Sequence, residues 1–200
     1  MGSAPKIACI VLAAGRSTRM GAANKLLAAV GGRPMVRGVV EAALESAARP
    51  VLVVIGHQGE EVRAKLAGLD VTFVVNADYA TGLSSSLKAG IRAVPVDCGG
   101  ALILLGDMPR ITAQHLDEMI AVFERGEAAN IVVPTHQGQR GNPVLWSASL
   151  FAEMLQLGGD VGARGLMAKH ADRVHEVDPG TDAVLVDVDT PEALARLKGR

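Results

Sequence analysis

Short apolar runs and stretches of helical periodicity take turns along this chain. Cys9-Ile10-Val11-Leu12, residues 51–55 and residues 101–105 are unbroken apolar runs, the pattern of strands covered by helices on both faces. Residues 71–75, 131–134 and 174–177 predict three more strands, and residues 183–188 a last one that leads into a turn and a helix start at Pro191. Between them, Met35, Val36, Val39, Val40, Ala43 and Leu44 recur at helical spacing and predict a helix that starts at Pro34 and ends before Pro50. Leu116, Met119, Ile120 and Phe123 repeat the pattern behind an N-cap at Thr112. Residues 60–66, 83–91 and 151–157 read as further helical segments, and Asp160 as the cap of a helix that carries Arg164.

Such alternation, with neither repeats nor a linker, predicts an α/β, Rossmann-like, doubly wound and mainly parallel sheet in a single domain over residues 1–200. One antiparallel hairpin excursion interrupts it. Residues 135–142 read as a polar hairpin turn and residues 143–146 as its return strand. Pro143 has no N–H to give to a ladder, so this element is expected at a sheet edge or as a lid.

Ligands of open α/β sheets bind outside the carboxyl ends of the strands, so the residues directly after each apolar run are the candidate site. The first run enters Leu12-Ala13-Ala14-Gly15-Arg16-Ser17-Thr18-Arg19-Met20-Gly21, with Asn24-Lys25 close behind. Its small residues leave backbone N–H groups open to a base or phosphate, and Arg16, Arg19 and Lys25 supply cations for a polyanion such as a nucleoside triphosphate. The loop is neither G-x-G-x-x-G nor a Walker A sequence. A solvated basic turn is the plainer alternative. After residues 51–55, His57 sits near the same edge, either to hydrogen-bond a substrate or as a satisfied loop histidine.

Ser84, Ser85 and Ser86 open a helix, where they serve either an anion or base, or simply the cap. Gly106-Asp107-Met108-Pro109 places a carboxylate immediately after a buried strand, which calls for a cation and makes Asp107 the first candidate metal ligand. Asp187 and Asp189 flank Val188, so a carboxylate can face the cleft while the valine faces the core; Asp189 is the second candidate ligand and Asp187 its alternative. Two carboxylates suffice for Mg²⁺, which completes its octahedron with water and substrate phosphates. Arg140 and Asn142, on the hairpin, either reach a second substrate or decorate the surface.

Composition narrows the classes. The net charge of -1 argues against a general nucleic-acid binder, and 2% aromatic residues argue against a base-stacking platform. Cys9 and Cys98 form neither a disulfide framework nor a zinc spacing, which fits a reducing compartment. No apolar run reaches spanning length and no charged-then-apolar segment opens the chain, so a cytoplasmic protein without a membrane partner is expected.

Residues 12–21 with Lys25, Gly82-Leu83-Ser84-Ser85-Ser86-Leu87, Gly106-Asp107-Met108-Pro109, Arg140-Gly141-Asn142-Pro143 and Asp187-Val188-Asp189-Thr190-Pro191 together resemble the molybdenum cofactor cytidylyltransferase family, within the MobA-like NTP transferases. The resemblance covers nearly the whole chain. It implies a nucleotide-diphospho-sugar transferase type of fold and transfer of CMP from CTP to molybdenum-bound molybdopterin, with release of pyrophosphate. It further implies that Leu12, Ala13, Ala14, Gly15, Arg16, Ser84, Ser85 and Gly106 hold the nucleotide, and that Arg19, Lys25 and Asp107 serve the chemistry. Asp107 and Asp189 would hold Mg²⁺, while His57, Arg140 and Asn142 would meet the acceptor. A molybdoenzyme or its chaperone would receive the product. A guanylyltransferase, a transferase to another small-molecule phosphate, and a non-catalytic nucleotide or cofactor carrier are the alternatives.

Overall fold

The computed structural model describes residues 5–17, 24–126, 131–158 and 163–198. Its first half runs β1 (Lys6–Ala13), the small hairpin β2 (Ala29–Val30) and β3 (Arg33–Pro34), α1 (Met35–Glu45), β4 (Val51–Ile55), α2 (Gly59–Lys65), β5 (Thr72–Val75) and α3 (Leu83–Ala93). The second half runs β6 (Cys98–Leu105), α4 (Ala113–Arg125), β7 (Ile131–His136), β8 (Gln139–Arg140), β9 (Val144–Ser147), α5 (Phe151–Met154), α6 (Arg164–Lys169), β10 (Val174–Val177) and α7 (Pro191–Lys198). The main sheet has the order β10-β7-β9-β6-β1-β4-β5, with β8 paired to β7. This is the expected α/β, mainly parallel Rossmann-like arrangement.

The packing explains why the apolar runs are continuous. On β1, Ile7, Cys9, Val11 and Ala13 face a layer containing α1 and α4, while Ala8, Ile10, Leu12 and Ala14 face a layer containing α3, α5 and α6. From Ile7 onward both faces of the strand are therefore dry, and no position there is left for a polar side chain. Gly90 sets the closeness of one layer: a Cβ there would lie 2.5 Å from Ile10 Cγ2, so α3 approaches β1 only because that position has no side chain.

The chain leaves β1 for β4 and β5 on one side and returns to β6 on the other, with β1 parallel to both neighbours. Strand order thus reverses between β1 and β6, and the loops after them part outside the carboxyl ends to leave a crevice.

Two expectations are corrected. Strand β9, which follows Pro143, lies inside the sheet, antiparallel to β6 on one side and β7 on the other. Pro143 is tolerated because it stands just before the first paired residue, so its missing N–H costs the ladder nothing. The hairpin itself joins β7 to β8 through Gln137 (φ 51°) and Gly138 (φ 76°), two successive left-handed residues whose twist suits a two-residue connection. Residues 183–188 do not form a strand: Asp182–Leu185 is a 3-10 turn, followed by extended chain. The Thr181 hydroxyl accepts from the Ala183 N–H at 3.2 Å and caps that turn. Ala183 and Val184 are buried beneath it, so a short apolar run here marks the inner side of a turn.

Among the described residues, no helix is long and apolar enough to cross a membrane.

Candidate active site

A cleft of about 590 Å³ opens at the crevice between β1 and β6. Leu12, Ala14, Gly15, Arg16 and Ser17 form one wall with Lys25 and Leu26. Tyr79, Ala80, Gly82, Leu83 and Ser86 form another, and Leu105, Asp107, Arg164, Asp187 and Asp189 complete it.

Backbone hydrogen bonds bring the acidic residues together from distant parts of the chain. The Gly106 N–H donates to Leu12 O at 3.0 Å, which ties the turn after β6 to the loop after β1. The Val188 N–H donates to Asp107 O at 3.0 Å, and the fully buried Val188 side chain anchors this extended segment in the core. Asp187 and Asp189 consequently project on either side of that anchor toward Asp107. One carboxylate oxygen from each of the three lies within 4.8 Å of the others.

Lys25 enters the same cluster. Its Nζ is 2.5 Å from Asp107 Oδ2 and 2.6 Å from Asp189 Oδ1. Two local bonds aim it there: Asn24 Oδ1 accepts from the Leu26 N–H at 3.0 Å, and Ser17 Oγ accepts from the Lys25 N–H at 3.3 Å. Burial alone would lower the Lys25 pKa, but attraction to Asp107 and Asp189 outweighs it and raises the pKa above the ordinary lysine value. Asp187 is pushed upward by burial and by its neighbours Asp189 and Asp107. Asp107 Oδ1 is buried and has no hydrogen-bond partner among the described residues. Three clustered carboxylates carry more negative charge than one ammonium offsets, which suits a divalent cation and the phosphates it would hold.

The opposite wall is braced by Asn76, directly after β5. Its Nδ2 donates to Ser85 Oγ at 2.9 Å and to Ser86 Oγ at 3.0 Å, while its Oδ1 accepts from the Asp78 N–H at 3.0 Å. The single Ser85 hydroxyl proton in turn faces both Gly82 O at 2.8 Å and Asp78 O at 3.0 Å. The serine cluster is thus an internal clamp on the first turn of α3, with Ser86 on the cleft and Ser84 buried.

Of the residues singled out from sequence, Leu12, Ala14, Gly15, Arg16, Lys25, Asp107 and Asp189 meet around the cleft. Ala13 is buried in β1, and Gly106 acts through its backbone. His57 does not line the cleft; its ring centroid lies 6.0 Å from that of Tyr79, which does. Arg140 pairs with Glu176 at 2.8 Å, and neither Arg140 nor Asn142 is part of the lining. Arg19 and Asp160 lie outside the described residues. Sequence reasoning passed over Asn76 and Tyr79, although both follow a predicted strand and stand on the ligand-binding edge.

A family model described as the MobA-like NTP transferase domain matches residues 9–174. The chain belongs to this family. Molybdenum cofactor cytidylyltransferase of Escherichia coli (strain K12) is 29% identical over 202 residues, covering 97% of this chain and 96% of that protein. The bifunctional protein GlmU of Syntrophotalea carbinolica is 33% identical over 135 residues, covering 67% of this chain; the match spans only 29% of GlmU's length. Among solved structures, Rv0371c of Mycobacterium tuberculosis superposes with a TM-score of 0.84 at 28% identity, covering 100% of both chains. Its complex with manganese superposes with a TM-score of 0.79 at 27% identity, over 97% of this chain and 98% of that one. As a MobA-like family member the protein is a nucleotidyltransferase, with its cleft where the fold places ligands.

Proposed function

We propose that this protein transfers CMP from CTP to molybdenum-bound molybdopterin, forming molybdopterin cytosine dinucleotide and pyrophosphate, as a cytoplasmic enzyme with one nucleotidyltransferase domain. The observation that carries the choice of reaction is the end-to-end match to the E. coli cytidylyltransferase, which covers 96% of that protein where the GlmU match covers 29%. A recipient molybdoenzyme or its chaperone would take the product.

The residues divide the work by chemistry. The open backbone from Leu12 to Arg16 receives the nucleotide, and the wall from Tyr79 to Ser86 borders the base. Arg16, Arg19 and Lys25 balance negative charge on the triphosphate and the departing pyrophosphate. Asp107 and Asp189 would hold Mg²⁺, with Asp187 as the third carboxylate at hand; Asp107 Oδ1, buried and without a partner among the described residues, supports an ion there, and the manganese complex of the Mycobacterium relative supports a divalent one. When bound, that ion would neutralise phosphate charge and fix phosphate geometry. His57, Arg140 and Asn142 are assigned to the acceptor side. No side chain is required as a covalent nucleophile, because positioning and charge stabilisation account for an in-line displacement by the acceptor's own phosphate.

The test is pyrophosphate release with Mg²⁺ and CTP, GTP, ATP or UTP, with and without molybdenum-bound molybdopterin. Release that needs both CTP and the pterin is expected. Preference for GTP would make the protein a guanylyltransferase, and nucleotide binding without turnover would indicate another acceptor or a carrier.

A further inference from the structure

Lys25 stands between two of the three carboxylates that could hold a metal ion. Its ammonium nitrogen touches Asp107 Oδ2 at 2.5 Å and Asp189 Oδ1 at 2.6 Å, and the lysine side chain is only 14% exposed. A magnesium ion held by Asp107 and Asp189 would draw on the same two carboxylates that the ammonium occupies. An ion entering between these carboxylates repels the ammonium and favours its withdrawal, and an ammonium that leaves two carboxylates in a half-buried cleft needs another anion to go to. Among the described residues the cleft offers it no other carboxylate pair, since Asp187 belongs to the same cluster.

We propose that Lys25 is a latch with two stations: in the free protein it occupies the metal position between Asp107 and Asp189, and the phosphates of an incoming nucleotide draw it away so that the metal can enter. Resting on the metal-dependent nucleotidyltransferase reading, this sets an order of events. Metal alone binds weakly, nucleotide and metal bind synergistically, and the carboxylates are never left unneutralised between the two states. Lys25 thus helps to position the charges for the reaction and keeps the carboxylates from trapping free metal.

Manganese(II) titrations followed by electron paramagnetic resonance test the latch without turnover. The proteins are wild type, Lys25→Met and Lys25→Gln, each without nucleotide and with α,β-methylene-CTP, corrected for metal bound to the analogue itself. Without nucleotide, both Lys25 variants should bind Mn²⁺ about tenfold more tightly than wild type, the factor expected if the unlatched fraction is about one tenth. The analogue should tighten metal binding in wild type by about the same factor and in the variants by much less, because they have no latch to release. Arg16→Ala removes an exposed cleft cation that touches none of the three carboxylates, and it should leave metal binding without nucleotide unchanged.

Equal or weaker Mn²⁺ binding by the folded Lys25 variants overturns the latch, as does equal tightening in Arg16→Ala, which would point to the general field of the cleft. Circular dichroism and melting curves establish folding, and two Lys25 substitutions guard against a variant that does not fold. Lys25→Met combined with Asp107→Asn and Asp189→Asn separates the two readings. Mn²⁺ binding that survives this combination would overturn the metal site itself, whereas binding that disappears in it but is not tightened in Lys25→Met would overturn the latch alone.

Discussion

The residue with the sharpest constraint is Asp107. One of its oxygens holds Lys25 and the other is buried without a partner among the described residues, in the turn directly after β6. Asp107→Asn keeps the shape and removes the charge. Turnover should fall by about 10²-fold or more, the scale associated with losing one preorganised electrostatic contact at the reacting phosphate. The fold should persist, since the Asp107 backbone carbonyl still accepts from Val188. Steady-state pyrophosphate release together with a melting curve checks both halves of this expectation.

At the scale of elements, the position of Asp187 and Asp189 depends on a contact far from them. The Gly141 N–H donates to Pro134 O at 2.8 Å and the Asn142 N–H to Val184 O at 2.9 Å, so the segment after β8 cradles the 3-10 turn that feeds the acidic segment. A Cβ on Gly141 would lie 2.2 Å from Val184 O, a backbone atom that cannot swing aside. Gly141→Ala should therefore push the turn outward, destabilise the protein by about 1–3 kcal/mol and weaken metal-supported nucleotide binding. Calorimetry on a variant that still folds measures both effects, and unchanged nucleotide binding would show that the turn does not position the carboxylates.

Helix α6 carries Arg164 to the cleft, and its far end is tied to α5 by Glu153, which meets Lys169 Nζ at 2.6 Å and His170 Nε2 at 3.1 Å. Hydrogen bonds from Lys169 and His170 hold the Glu153 carboxyl below its ordinary pKa. A carboxylate depressed on folding contributes stability above its unfolded pKa and loses it as pH falls through the folded value. Glu153→Gln should thus melt slightly below wild type at pH 7, and the difference should close as pH drops below about 4. The effect is small because the pair is exposed, and salt should shrink it further.

On the scale of the whole molecule, two apolar layers flank the sheet, and Lys25 neutralises part of the acidic cluster. Chelator or Mg²⁺ alone should change the melting temperature little. CTP with Mg²⁺ should raise it, with a gain of about 2.7 kcal/mol at a hundredfold excess over Kd. Differential scanning fluorimetry with each additive alone and together checks this, and a large shift from Mg²⁺ alone would contradict the latch as well.

Much of this architecture was determined locally and could be read in the chain. Continuous apolar runs become strands buried on both faces, and a carboxylate or basic loop directly after such a run must stand at the ligand edge, because strand direction and the dry interior leave no other place for it. Periodicity is silent on what lies far apart in sequence. It did not reveal that β9 would slip between β6 and β7, that the run around Val184 would coil into a turn, or that Asn76 would clamp the serines of α3. Nor could it choose between Asp187 and Asp189, since spacing shows that they share a face but not what they face. Only the tertiary structure places Lys25 between Asp107 and Asp189, 164 residues away from its second partner. That contact is long-range and electrostatic, and it is made by backbone bonds that draw the first loop, the turn after β6 and the C-terminal segment into one cleft.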